Sequence, residues 1–372
     1  MSTASEPIAG TSAPLAPQPP VAKAGRNWLS IGTFGVFAII LIVLPQVLNA
    51  FWTGRVTGWI PIAIAALGLN LLTGYNGQIS VGHGALYGLG AYATALVINE
   101  WAWSFPLAIV FSAIVCFGAG VLIGLPALRI KGLYLALVTL AVATLFPQVL
   151  EQFSDTTGGS TGLGVTSPEL YRGRIRDRSI KFEAPEWTGL ASDQWRYYFF
   201  LVVAAICFLL VRNIVNSRAG RSIIAIRDNE TAAEVSGVNV ARAKVFTFGL
   251  SSALAGVGGS LLALYLARVS SGSFTLTTSL YFLVAVVIGG AQSIAGPAIG
   301  AVFIGVFNDV ITPDLPEAWK PASPLILGAL LIILMLVAPG GVAGLIRQFT
   351  GRMRTRKLVN SAINNPSSGG TT

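Results

Sequence analysis

Long apolar runs alternate with short polar interruptions along almost the whole chain. Apolar residues dominate 28–48, 57–73, 79–98, 105–128, 132–150, 197–213, 245–267 and 323–346. About 20 mostly apolar residues cross the hydrocarbon core of a bilayer as a helix. Inside lipid only helices and closed barrels satisfy every backbone polar group. Each run therefore predicts a transmembrane helix. The stretch 278–311 is too long for one comfortable crossing and is broken by GGAQSIAGP at 289–297. It predicts two helices, the first short and partial or tilted.

Charge orients these helices. Basic residues gather at Lys23 and Arg26, at Arg129 and Lys131, from Arg212 to Lys244, and from Arg347 to Lys357. The positive-inside rule puts all four clusters on the cytoplasmic face. Both tails are then inside, so the number of crossings is even. The expected fold is all-α: a polytopic integral membrane protein of about ten transmembrane helices with both termini cytoplasmic. The basic RGRIRDRSIK in the loop 151–196 lies mostly away from span ends, where the rule is weaker, and that loop is placed outside.

Composition narrows the class. The chain is 53% hydrophobic and 10% charged, against about 25% charged in soluble domains. Its 42 glycines suit helices that approach closely in lipid. The net charge of +9 follows from topology and does not require a nucleic acid. Cys116 and Cys207 lie in apolar runs and read as packing residues, not as a disulfide or metal pair. Residues 1–27 form a tail, 28–346 one membrane domain, and 347–372 a basic and then flexible tail. The tail before Trp28 is rich in Ala, Pro, Ser and Thr, reads as disordered, and no small-x-small cleavage site follows the first apolar run.

Four segments stand out. GYNGQISVGHGALYGLGAY (74–92) places six glycines, polar side chains and the chain's one histidine at the start of a span. Asn76, Gln78, Ser80, Gly82, His83, Gly84 and Tyr87 either line a path, where irregular backbone is tolerated, or mark tight packing and a cytoplasmic turn. For His83 a hydrogen-bonded structural role outweighs solute contact. GGAQSIAGPAIGAVFIG (289–305) repeats the pattern with Gln292 and Ser293 before a small-residue helix. It hints at an internal repeat of the transporter kind. In 214–244, Asp228 or Asn229 can cap a helix and Glu230 favours its first turn. Ala232 and Ala233 form a low-volume face, Gly237 ends the helix in a left-handed residue, and Asn239 caps the next. This segment reads as a docking helix or as a solvated basic loop. TTGGSTGLGV (156–165), with Thr157, Gly158, Gly159, Ser160 and Thr161, either meets an external partner or is an ordinary turn-rich connection.

Absences matter as well. No lysine follows a glycine, so no P-loop is present. No acidic residue is read as lying mid-span, whereas proton-coupled carriers use intramembrane acids or histidines. One histidine without a nearby cysteine does not make a metal site.

GLNLLTGYNGQISVGHGALYGLGAY (68–92), TGGSTGL (157–163) and AIRDNETAAEVSGVNVARAKVFTFGLSSALAGVGG (225–259) together resemble the branched-chain amino acid ABC transporter permeases. The likeness is to the second-permease type with a long external loop. It runs from about 57 to 346. Urea and short-amide permeases share the pattern. The resemblance implies a membrane subunit without enzymatic activity or cofactor of its own. It pairs with a second homologous permease and two cytoplasmic ATPases, which bind ATP and Mg. An extracytoplasmic binding protein delivers the solute, and the machine sits in the bacterial plasma membrane. Arg227, Asp228, Asn229, Glu230, Ala232, Ala233 and Gly237 would form the ATPase-coupling segment. Against the usual Glu-Ala-Ala-x-x-x-Gly pattern, Thr231 stands at the Glu position and Glu230 lies one residue early. An ATP-independent carrier or channel is the competing class.

Overall fold

A computed structural model of the 372-residue chain describes residues 39–127, 133–165, 170, 171, 174, 175, 182, 184–266, 268–337 and 340–344. The two tails lie outside these residues. So do the basic clusters at 23–26, 129–131 and 347–357, most of the first expected span, and most of RGRIRDRSIK. Contacts divide the chain into residues 1–44 and 45–372. In the first unit the described residues 39–44 are helical; the second holds everything below.

The helices follow the apolar pattern. They are α1 (Ala50–Leu69, continued by a π-helical turn Asn70–Tyr75), α2 (His83–Trp101), α3 (Phe105–Ala127), α4 (Leu133–Gln152) and α5 (Ser192–Asn216). Two short helices, α6 (Arg218–Asp228) and α7 (Glu230–Val235), precede α8 (Val240–Leu266). The expected double crossing at 278–311 appears as α9 (Leu276–Gly289) and α10 (Gly296–Val306), and the second runs on through a π-helical turn Phe307–Ile311. The last helix is α11 (Ser323–Val337). The sheets are minimal. β1 (Leu163–Gly164) pairs antiparallel with β4 (Arg268–Val269), and β2 (Leu170–Tyr171) pairs with β3 (Arg174–Ile175).

Among the described residues eight helical stretches are long and apolar enough to cross a membrane. The protein is therefore an all-α, multi-pass membrane protein. Helix α2 is not among the eight. It need not be apolar all round, because protein and not lipid surrounds it: 13 of its 19 residues are buried. Small residues permit this. A Cβ on Gly90 would lie 2.4 Å from the Gly256 Cα, and one on Gly259 would lie 1.8 Å from the Tyr87 carbonyl. Only glycine lets α2 and α8 meet backbone to backbone.

Burial sorts the helices into centre and rim. Of the best 18-residue window, 72% is buried in α8 and 67% in α1, but 13% in the stretch containing α11. The rim helices expose Ile114, Leu122, Leu209, Ile332 and Leu336. Apolar side chains exposed in such numbers need a covering, which lipid supplies. The candidate segments lie at the ends of the central helices.

Candidate functional site

The first glycine-rich segment is a break between two central helices. α1 loosens into its π-helical turn, residues 76–82 leave helical geometry, and α2 begins at His83. The break is buried nonetheless. Asn76 is 3% exposed, Gln78 8%, Ser80 1% and His83 0%. Two neighbours tie down its backbone: Val81 N donates to Thr139 Oγ1 on α4 (3.0 Å), and Gly84 N donates to Ser279 Oγ on α9 (2.9 Å). A Cβ on Gly82 or Gly84 would come within 2.6 Å of Thr139 O or Ser279 Oγ.

Several side chains there are buried without a partner. Neither amide atom of Asn76 is bonded, nor is Ser80 Oγ or Tyr87 Oη. The His83 ring faces the Ala65 backbone without reaching hydrogen-bond geometry. Phe282 of α9 lies edge-on to both His83 and Tyr87, with centroids at 6.2 and 5.0 Å. A buried polar atom left unpaired costs about 1–3 kcal/mol. Several such atoms gather in this one stretch.

The second glycine-rich segment is brought to the same place. α9 ends at Gly289, residues 290–295 form the break, and Pro297 sits in the first turn of α10. Asn70 joins the two breaks: its Nδ2 donates to the Ser293 carbonyl (2.8 Å), and its Oδ1 accepts from Gln292 N (3.1 Å). Tyr75 Oη donates to the Gln292 carbonyl at 2.7 Å. These bonds hold Gln292 at φ 67°, a conformation uncommon for a residue with a side chain. Asn70 and Tyr75 were not singled out from the sequence. An asparagine inside an apolar run was the available signal. Gln292 itself is exposed and Ser293 half-buried, in the break between α9 and α10.

The polar segment after α5 folds as its cap residues dictate. Asn229 Oδ1 accepts from Ala232 N (3.0 Å) and starts α7. Gly237, at φ 85°, ends it: Gly237 N donates to Glu234 O (2.9 Å) and Val238 N to Ala233 O (3.0 Å), the paired closure of a Schellman motif. Asn239 Oδ1 then caps α8 through Arg242 N. The expected common face of Ala232 and Ala233 is corrected by the structure. Ala233 is buried, whereas Ala232 is exposed, because adjacent helical residues point about 100° apart. The outward face is Ala232, Val235 and Ser236, with Val235 85% exposed. Glu230 is held by Lys244 at 2.8 Å.

Arg227 links this segment to the first break. Its Nη1 donates to the Gly74 carbonyl (3.3 Å), while Nε and Nη2 hold Asp228 Oδ1. Its stem lies where a Cβ on Gly77 would be, 2.9 Å from Cγ. Gln78 Nε2 reaches the Lys244 carbonyl at 3.5 Å. The two breaks and the α6–α7 segment thus meet at one end of α1.

The loop segment 157–161 is sewn down instead of open. Thr157 is buried and donates to the Leu150 carbonyl. Gly158 and Gly159 turn at φ 73° and 53°. Arg268 Nη1 reaches the Thr161 and Gly162 carbonyls, and β1 pairs with β4 just beyond. Only Ser160 and Thr161 of the five are fully exposed. Asp309 stands late in the stretch 296–314, in the turn that follows α10. Among the described residues no three His, Cys, Asp or Glu side chains converge as metal ligands.

Comparison with known proteins agrees with this architecture. The family model described as the permease component of the branched-chain amino acid transport system matches residues 54–336. The permease protein LivM of the high-affinity branched-chain amino acid transport system of Salmonella typhimurium is 31% identical over 76% of this chain and 68% of its own length. LivM of Escherichia coli is 29% identical over 83% of this chain and 75% of its own. LivH of Salmonella typhimurium is 27% identical over 82% and 96%. No solved structure gives a significant match. On a match that spans every central helix and both breaks, the chain belongs to the branched-chain amino acid permease family.

Proposed function

We propose that the chain is a membrane subunit of an ATP-driven importer for branched-chain aliphatic amino acids. It pairs with a second, homologous permease and with two cytoplasmic ATPases, which bind ATP and Mg. An extracytoplasmic binding protein delivers the solute, and the assembly sits in the bacterial inner membrane. The chain itself carries no covalent chemistry. The supporting relatives are LivM and LivH, two permeases named for one transport system.

The observation that carries the reading is the Arg227 contact. An exposed helix pair, α6–α7, sits on the helix break that holds Asn76, Ser80, His83 and Tyr87. Arg227 is the joint, through the Gly74 carbonyl and the Gly77 backbone. An ATPase that grips the exposed face of α7 and moves it would pull on residues 74–78. The break is the place where central helices yield most readily, since its backbone is already outside helical geometry. Access to the buried polar stretch would then change with ATPase state.

The test is Arg227→Ala in the assembled transporter in proteoliposomes. The ATPases should remain bound through the outer face of α7, and ATP hydrolysis should persist, while leucine uptake falls at least tenfold. Wild-type uptake in this variant would remove Arg227 as the joint. Failure of the wild-type chain to co-purify with any ATPase would remove the ATP-driven reading and leave a carrier or channel.

A further inference from the structure

Two clasps fasten α1 to α10, one at each end of the pair. In the first, Asn70 bonds Gln292 N and the Ser293 carbonyl, and Tyr75 bonds the Gln292 carbonyl, just before α10 begins. Gly74 gives this clasp its room, since a Cβ there would lie 2.9 Å from Gln292 N. In the second, Arg55 Nη1 donates to Asp309 Oδ1 at 2.5 Å and Trp59 Nε1 to Asp309 Oδ2 at 2.7 Å. The Trp59 indole lies on Gly305, where a Cβ would overlap it. Early α1 meets late α10 and late α1 meets the start of α10, so the two helices run antiparallel. Each ends in a π-helical turn, and each turn gives one polar side chain to a clasp: Asn70 in Asn70–Tyr75 and Asp309 in Phe307–Ile311. Such turns are rare and recur at functional sites.

Between the clasps stands Pro61. Proline has no N–H, so the helix bond to the Thr57 carbonyl is missing, and helices bend most readily at such a point. Arg55 and Trp59 precede the weak point, and Asn70 and Tyr75 follow it. Arg55 and Asn70 are 15 residues apart, about 22 Å at helical rise. Alongside, residues 298–312 contain no proline. The helix without an internal break is thus tied across the helix that has one. The ties are strong in kind. Asn70 is fully buried with both amide atoms bonded, and the Arg55–Asp309 contact is charge-assisted and only partly exposed to solvent.

We propose that α10 splints α1 across Pro61, so that the two helices move as one lever. The lever takes up the pull of α6–α7 at Gly74 and delivers it to the far end of α1, the end that charge topology puts outside. Asn70 and Asp309 are its positioning residues. Asn70 fixes α10 beside the point where Arg227 holds the Gly74 carbonyl, and Asp309 fixes it to α1 beyond the proline. With either clasp open, α1 flexes at Pro61 and its outer end no longer follows the inner one. The inference rests on the permease reading above, and the experiment separates the two.

The test uses the full chain with its partner subunits in nanodiscs, in a variant lacking Cys116 and Cys207. Spin-label pairs are placed at exposed positions, and distances are read without nucleotide and with ATP and vanadate. Ala219–Leu137 reports the inner end, Ala50–Val149 the outer end, and Ala50–Val302 the α1–α10 pair itself. The first two distances should change with nucleotide and the third should not. Asp309→Asn should leave the inner change intact and abolish the outer one. Leucine uptake per ATP hydrolysed should then fall about tenfold, the scale of a charge-assisted bond. Adding Pro61→Ala restores the missing helix bond, so Pro61→Ala with Asp309→Asn should recover both the outer change and the uptake, which a merely structural role for Asp309 would not do. Should Asp309→Asn fail to assemble, Trp59→Phe, which removes one bond of the same clasp and keeps a ring on Gly305, takes its place. An Ala50–Val302 distance that changes as much as Ala50–Val149 would overturn the proposal on the otherwise unsubstituted protein. A clasp variant as impaired with Pro61→Ala as without it would overturn it as well. An inner change with no outer change would overturn the lever and leave the permease reading standing. No change at the inner end would mean that nucleotide does not move α6–α7, and the ATP-driven reading would fail, taking the lever with it.

Discussion

Gly237 offers the cleanest test of the α6–α7 segment, because its role is conformational and nothing else. The residue sits at φ 85°, and a Cβ built on it meets nothing within 4 Å. A substitution there creates no clash, and its whole effect is the left-handed backbone, about 1–2 kcal/mol for an ordinary L residue. That corresponds to roughly a 5- to 30-fold shift between the closed and frayed ends of α7. Six residues do not hold a helix on their own. α7 relies on the Asn229 cap, the buried Ala233, and the closing bonds from Gly237 N to Glu234 O and from Val238 N to Ala233 O. Asparagine tolerates the left-handed region, alanine less, and a β-branched residue least. Amide exchange at 237 and 238 should therefore quicken in the order Gly, Asn, Ala, Val. ATPase recovered with the tagged permease should fall in the same order. Gly237→Val with wild-type exchange and wild-type ATPase recovery would refute the argument, as would an asparagine variant as damaged as the valine one.

Other expectations follow from the same geometry. Tyr87→Phe removes a buried hydroxyl that has no partner, so thermal stability should rise by about 1 kcal/mol while leucine uptake falls; unchanged uptake would make Tyr87 a packing residue only. Ala233→Arg should destabilise α7 by forcing a charge into a buried seat, seen as faster amide exchange across 230–238. Ala232→Arg, on the exposed face, should leave exchange unchanged and weaken ATPase recovery; identical effects from the two would dissolve the distinction between the faces. For topology, cysteines at Ser160 and Ala219, both exposed, in a variant lacking the buried Cys116 and Cys207, should label from opposite sides of the membrane. Ala219 is chosen over Ser217 because Ser217 Oγ caps α6. Labelling of both from outside would reverse the orientation drawn from charge.

Apolar run length, Gly and Pro breaks, and cap residues are local properties, and what depends on them was legible in the chain. The helices α1 to α5 and α8 fall on apolar runs, and the division of 278–311 falls at GGAQSIAGP. The start of α7 at Asn229 and its end at Gly237 follow from backbone chemistry within nine residues. Family membership was legible too, because its motifs are contiguous. Which residues meet was not. Asn70 and Gln292 are 222 positions apart, and Arg227 and Gly74 are 153 apart; no periodicity reports such pairings. Nor does a sequence say which of two adjacent alanines faces inward, since that depends on where α6 and α8 set the helix. Nor does it say that Asp309 meets Arg55 and Trp59, about 250 positions away on another helix. Pattern along a chain records what each segment requires of its surroundings. Only tertiary packing decides which other segment supplies it, and here that choice assembled both the buried polar break and the charged cluster at the far end.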